Sequence, residues 1–261
     1  MLRTKRKNKG KVKTINYRNM VHYEKYSNSV ISFLDETNSR ILGNDVVNAV
    51  TDMPDPTLND KKVIECIGLG LGSTSLISIN NRWRCLLGHT TLASNYTSVS
   101  LPAPKNTKNI MRQFTIPRLG GKSLMQPGDL IRIFVDSTKT GVANVLSRSF
   151  FFGSTGILAT DVEIDLTAAS SASVVYETEI LEFFRLSDSG GSSRIMKNLN
   201  KGSYAVGLGG TQGPSVLEGE TITIPNMDAN DIFVSYAAVL DGTSDSFVNN
   251  NWHVELINSG A

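Results

Sequence analysis

SLMQPGDLIRIFVDSTKT, residues 123–140, decides the fold. Pro127-Gly128-Asp129 is turn chemistry, and Leu130, Ile131, Ile133, Phe134 and Val135 follow as a β-branched, aromatic-rich run that gives way to polar residues. Turn, strand, turn is the local grammar, and it repeats outward in both directions. It predicts strands at 76–79, 83–88, 97–102, 110–116, 129–136, 145–153, 162–167, 173–184, 193–199, 220–224, 231–240 and 252–257. Val162, Ile164 and Leu166 alternate with Glu163 and Asp165, as Val254 and Leu256 do around Glu255, the pattern of strands with one buried and one wet face. No amphipathic helix of any length intervenes, so the expected class is all-β, an antiparallel sandwich.

Upstream the character changes. Residues 1–25 carry Arg3, Lys5, Arg6, Lys7, Lys9, Lys11, Lys13, Arg18 and Lys25 against Glu24, nine minus one or +8, whereas the whole chain is +2 and the remainder is therefore −6. Residues 1–20 read as a basic arm without enough apolar side chains to fold alone, suited to nucleic acid phosphates through counterion release or to an acidic protein surface. Residues 21–75 read as a mixed connector. Val30, Ile31, Phe33 and Leu34 suit a strand or a helical turn, and Ile41, Leu42, Val46, Val47 and Val50 suit a short helix capped by Asn44 or Asp45. Residues 76–261 are the expected β domain. No apolar leader is visible and no run approaches the ~20 apolar residues of a membrane span, so synthesis in a cytoplasm without a membrane partner is expected.

The search for chemistry excludes more than it finds. Gly68, Gly70 and Gly72 follow a strand-like run but are spaced G-x-G-x-G and lead into another strand, which fits neither the dinucleotide fingerprint nor the Walker loop. Cys66 and Cys85 lack the partners a zinc site needs and read as packed thiols. His22, His89 and His253 have no metal-like neighbours, no G-x-S-x-G elbow is present, and neither a cofactor nor a catalytic set is expected. Asp161, Glu163 and Asp165, or Glu177, Glu179 and Glu182, could line up along a strand as calcium ligands or a glycosidase pair, although a solvated strand face outweighs both. Among the aromatics Trp83, Tyr96, Tyr204, Tyr236, Phe247 and Trp252, the candidates for glycan contact are Tyr204, Tyr236 and Phe247. The stretches 189–193 and 202–214 are the expected exposed tips.

From about residue 80 the order of features resembles the C-terminal jelly-roll modules of tailed-bacteriophage fibre and virion-surface proteins. The resemblance is carried by Trp83 to Thr91 (WRCLLGHTT), Phe114 to Pro117 (FTIP) and Leu124 to Ile133 (LMQPGDLIRI). Phe150 to Thr155 (FFFGST), the long run Val174 to Phe184, Asn230 to Ile232 (NDI) and the closing Trp252 to Ile257 complete it. It implies a jelly-roll β-sandwich that associates with itself, often as a trimer, in a virion component that is not an enzyme. The short, basic N-terminal region departs from a long fibre, so a head-fibre, decoration, short-spike or connector protein attached to capsid, portal or tail is expected. One competing expectation is an icosahedral jelly-roll capsid subunit whose arm, Arg3 to Lys13, meets the packaged genome. Another is a carbohydrate-binding receptor-recognition module.

Overall fold

The computed structural model describes residues 46–70, 72–141, 145–165, 174–206, 219 and 221–259, with backbone alone at 165, 174–177 and 198–206. The basic arm and residues 21–45 lie outside the described residues. The fold is all-β. β1 (Val46–Val47), β2 (Val63–Leu69), β3 (Gly72–Ile79) and β4 (Arg82–Cys85) form a small sheet in that order, with β1 parallel to β2 and the rest antiparallel. The helix expected around Val46–Val50 is instead strand β1 followed by a single 3-10 turn, Val50–Asp52, because Val46 and Val47 find a ladder in Glu65 and Cys66. A boundary at residues 75 and 76 would cut β3 in two.

The rest of the chain supplies β5 (His89–Asn95), β6 (Val99–Ser100), β7 (Asn109–Ile116), β8 (Arg118–Leu119), β9 (Lys122–Ser123), β10 (Leu130–Thr140) and β11 (Leu146–Gly153). After these come β12 (Val162–Asp165), β13 (Val174–Arg185), β14 (Ser193–Val206), β15 (Thr221–Ile224), β16 (Ile232–Leu240) and β17 (Ser246–Ile257). A wide antiparallel sheet runs β15-β14-β13-β10-β17-β5, with β6 paired to β17, and a narrower one runs β12-β11-β16-β7. Their facing sides close over one core that includes Ile131, Ile133, Val135, Phe150, Phe152, Phe183, Val234, Trp252 and Val254. Phe183 meets Phe150 and Phe152 edge-on at 5.4 and 5.2 Å between centroids, a favoured aromatic arrangement.

Three strands extend past their apolar runs, two of them, β10 and β17, on polar partners. β10 keeps strict in-out alternation through Ser137 and Lys139, and the buried Lys139 ammonium is satisfied by Asp245 (2.8 Å) and the Gly141 carbonyl (2.6 Å). β17 starts at Ser246 because Asn249 and Asn250, poor strand formers, hydrogen-bond to Arg112, the Asp136 carbonyl and Thr138 around a bulge at Asp136/Ser137. β14 runs on through Gly202–Val206, which therefore belong to a strand and not to an exposed tip. The turn at 189–192 is a tight connection, closed by reciprocal backbone bonds between Ser189 and Ser192.

The sandwich has two distinct ends. At one end lie the β7–β10, β11–β12, β13–β14 and β15–β16 connections, the finish of β17 and the start of β5. The small sheet docks there: a Cβ on Gly70, at φ +69°, would overlap the Thr91 carbonyl, and one on Gly120 would overlap that of Pro54. At the other end lie the β5–β7 and β16–β17 connections, the finish of β10, β12 and β14 and the start of β11, β13 and β15.

Candidate functional site

The junction of the small sheet with the sandwich is built around Asp129, the last residue of the Pro-Gly-Asp turn. Its carboxylate is fully buried and accepts bonds from Arg84 Nη1 (3.1 Å), the Gln126 N–H (2.7 Å), Asn258 Nδ2 (3.1 Å), and the Ser259 N–H (2.8 Å) and hydroxyl (3.2 Å). Arg84 also donates to the Ser259 carbonyl (2.6 Å), and the Cys85 N–H to Asn258 Oδ1 (3.0 Å), so β4, the turn and the end of β17 are tied at one point. Beside it is a cavity of about 270 Å³ between Ile77, Ile79 and Leu86 on one side and Arg84, Gln126 and Asn258 on the other. Six of the eight exposed large hydrophobic side chains of the described residues sit at this end. Val46, Leu58, Ile67, Ile79 and Leu87 (78% exposed) are in residues 46–88, and Ile157 is in the β11–β12 loop.

A second tie is Asp228, bound fork-to-fork by Arg82 (2.7 and 2.6 Å) and reached by the Ser123 N–H (3.2 Å) and Arg185 (3.5 Å). Burial would raise its carboxyl, but the bonds and charge of Arg82, the Ser123 N–H and Arg185 outweigh it and hold the group at about 2. A carboxyl depressed in the fold stabilises the protein above its ordinary titration range, and that stabilisation is lost as pH falls from about 4 towards 2. The wild type is expected to lose about 2 kcal/mol more than Asp228→Asn across this window in urea titrations. Parallel pH profiles for the two proteins would show that the pairing contributes nothing.

The residues singled out from sequence are scattered. Arg3, Lys5, Arg6, Lys7, Lys9, Lys11 and Lys13 lie outside the described residues. Tyr204 is opposite Glu177 in the β13–β14 ladder, and its side chain is not described. Tyr236 and Phe247 are corrected: both are core side chains, at 0% and 1% exposure, with no ring face open to a sugar, because β16 and β17 turn them inward. Trp83 and Trp252 are likewise buried, and Tyr96 is exposed.

Of the acidic rows, Glu163 is exposed, Asp161, Glu179 and Glu182 are buried against partners, and the side chains of Asp165 and Glu177 lie outside the described residues. Glu179 is buried and bridges the sandwich to Arg148 Nη1 (2.6 Å), and Glu182 takes Arg132 (2.8 and 2.6 Å). Asp161 accepts from the Thr155 hydroxyl (2.8 Å). Glu163 bonds Lys108 and Ser149, which lower its carboxyl against burial, and Lys108 lies 5.3 Å from the Phe151 ring centroid. Among the described residues no cluster of His, Cys, Asp or Glu could hold a metal. Cys66 and Cys85 are buried free thiols, and burial, with Asp129 nearby, pushes the Cys85 thiol up to about 12, an unreactive state. His89 is exposed at the start of β5.

One constellation had no counterpart in the sequence reading. On the outer face of the wide sheet, Phe134 pairs in register with His253, their rings 6.0 Å apart. Arg132, opposite Glu182 and Glu255, flanks them on one side, and Asp136, opposite Asn251 and Thr178, on the other. His253 Nε2 lies 3.2 Å from Glu255, and Asn251 Nδ2 donates to Asp136 (2.6 Å). No protein-family model matches the chain, and no curated protein matches it.

Proposed function

We propose that the chain is a virion structural protein, a self-associating jelly-roll subunit attached to its particle through the N-terminal end. The observation that carries the reading is strand order. Taken as the eight strands B to I, β5, β7, β10, β11, β12, β13, β16 and β17 fall into the orders B-I-D-G and C-H-E-F, the double Greek key of jelly rolls, a fold used by capsid and lectin domains. On this reading β14 and β15 are a hairpin inserted between G and H that widens one sheet. Attachment through the N-terminal end is supported by the exposed apolar side chains gathered around the small sheet, since apolar surface left open on one end favours a partner there. The resemblance to tailed-phage virion-surface modules supports a decoration, head-fibre or connector role. The arm of +8 on a body of −6 suits a peptide that docks on an acidic capsid, portal or tail protein.

The same strand order also favours a second reading, an icosahedral capsid subunit whose arm neutralises genome phosphates. One truncation separates the two. Sedimentation of the chain lacking residues 1–20 is expected to show the same oligomer as the full chain, because the apolar contacts are placed in the body. A monomer at micromolar concentration would remove that assignment. If the full chain alone binds nucleic acid with log affinity falling by roughly 0.7–0.9 per phosphate in log salt, the capsid reading replaces the first.

A further inference from the structure

We propose that the outer face of the wide sheet carries a binding platform for a neutral glycan, centred on Phe134 and His253. The idea goes beyond a structural role and rests on what the register places together. Phe134 and His253 are cross-strand neighbours on β10 and β17, and their rings, 6.0 Å apart and tilted by 46°, form one part-exposed aromatic surface on a sheet face, with the Phe134 ring as the stacking face. Ring faces of this kind accept the C–H faces of a sugar. Hydroxyl groups then need donors and acceptors at the rim, because a buried polar group without a partner is costly.

The rim supplies them on both sides. Arg132 donates Nε and Nη2 to Glu182, and Glu255 Oε1 accepts from His253 Nε2. Among the described residues no further partner takes Arg132 Nη1 or Glu255 Oε2, which leaves both for a ligand. Asp136 uses one oxygen for Asn251 Nδ2, which leaves its Oδ1 and the Asn251 side-chain carbonyl. The side chains stay accessible: Arg132 is 35% exposed, His253 28% and Glu255 29%. Residues two apart on a strand are separated by roughly 6.6 Å, so Arg132, Phe134 and Asp136 span about 13 Å, the scale of a short oligosaccharide. Among the described residues of this face three carboxylates, Asp136, Glu182 and Glu255, stand against the guanidinium of Arg132, a balance that disfavours uronic or sialylated chains and nucleic acid. None of these side chains belongs to the hydrophobic core, so they can be changed without emptying it.

The test is calorimetric titration of the full chain with cellotriose, maltotriose and chitotriose, and with trigalacturonic acid as the anionic control. Saturable binding of at least one neutral trisaccharide is expected, with the anionic one weaker. Phe134→Ala is expected to weaken it by about tenfold or more, since the stacking ring is gone. Phe134→Trp is expected to restore it, a result that also excludes loss through misfolding. No binding of any neutral trisaccharide at millimolar concentration overturns the proposal, as does binding that Phe134→Ala leaves unchanged. A change of oligomeric state in Phe134→Ala overturns it too, because the face would then be a contact between copies of this chain.

Discussion

Replacing Arg148 with alanine is expected to destabilise the fold by about 3–5 kcal/mol, the usual consequence of removing one member of a buried ion pair. Arg148 on β11 and Glu179 on β13 belong to opposite sheets and meet inside the sandwich, at 0% and 1% side-chain exposure. The carboxylate was brought out of water against this guanidinium, and in a low-dielectric interior the cost of desolvation reappears when the partner goes. The double variant Arg148→Met/Glu179→Leu is expected to recover most of the loss, because two apolar side chains of similar volume need no solvation. Urea unfolding followed by tryptophan fluorescence measures both. A single variant that costs under about 1 kcal/mol would mean that the pair contributes little across the core.

Asp129→Ala is the second large effect, and a more local one. Five donors converge on the carboxylate, one of them the guanidinium of Arg84, and bonds to a charged acceptor contribute about 1.5–3 kcal/mol each, with losses that do not add. A total of about 3–5 kcal/mol is expected. Hydrogen exchange should rise first in β2 to β4 and at Asn258, since Asp129 ties these elements to the start of β10. Uniform loss of protection across both large sheets, with the small sheet no worse than the rest, would contradict the role of Asp129 as the tie. Asp129→Asn keeps the shape and one acceptor and should fall between the two.

The strong strands were legible because their signal is local. Ile131, Ile133 and Val135 alternate inward as their spacing predicts, and the aromatic run Phe150–Phe152 lies in β11. The polar continuations were not, because Lys139, Asn249 and Asn250 are held in strands by partners distant in sequence: Asp245, Arg112 and Thr138. Glu179 was expected on a wet face, yet it shares its phase with Leu181 and Phe183, two residues apart along β13, and that phase already placed it inside. The small sheet reads as part of a connector because the segment before it has mixed periodicity and little apolar surface of its own; what joins it to the sandwich is close approach, as at Gly70 against β5, which no local pattern shows. The Phe134–His253 surface was out of reach for a different reason. It exists only through the β10–β17 register, which pairs residues far apart in the chain.

The lateral seams of the sandwich bear on how the protein behaves when concentrated. Edge strands invite uncontrolled pairing with other chains. Here β5 lies beside β7 on one flank and β12 beside β15 on the other, so each flank is screened by the opposite sheet and not left as a bare ladder. In the small sheet, Asn258 already occupies the Cys85 N–H on β4. At the opposite edge of that sheet the outer strand is β1, two residues long and too short to template fibril growth. Strand addition is thereby channelled to a short register at the β1 edge of the small sheet, and stray polymerisation along the flanks is disfavoured by geometry, without the charged gatekeepers that open sheets require.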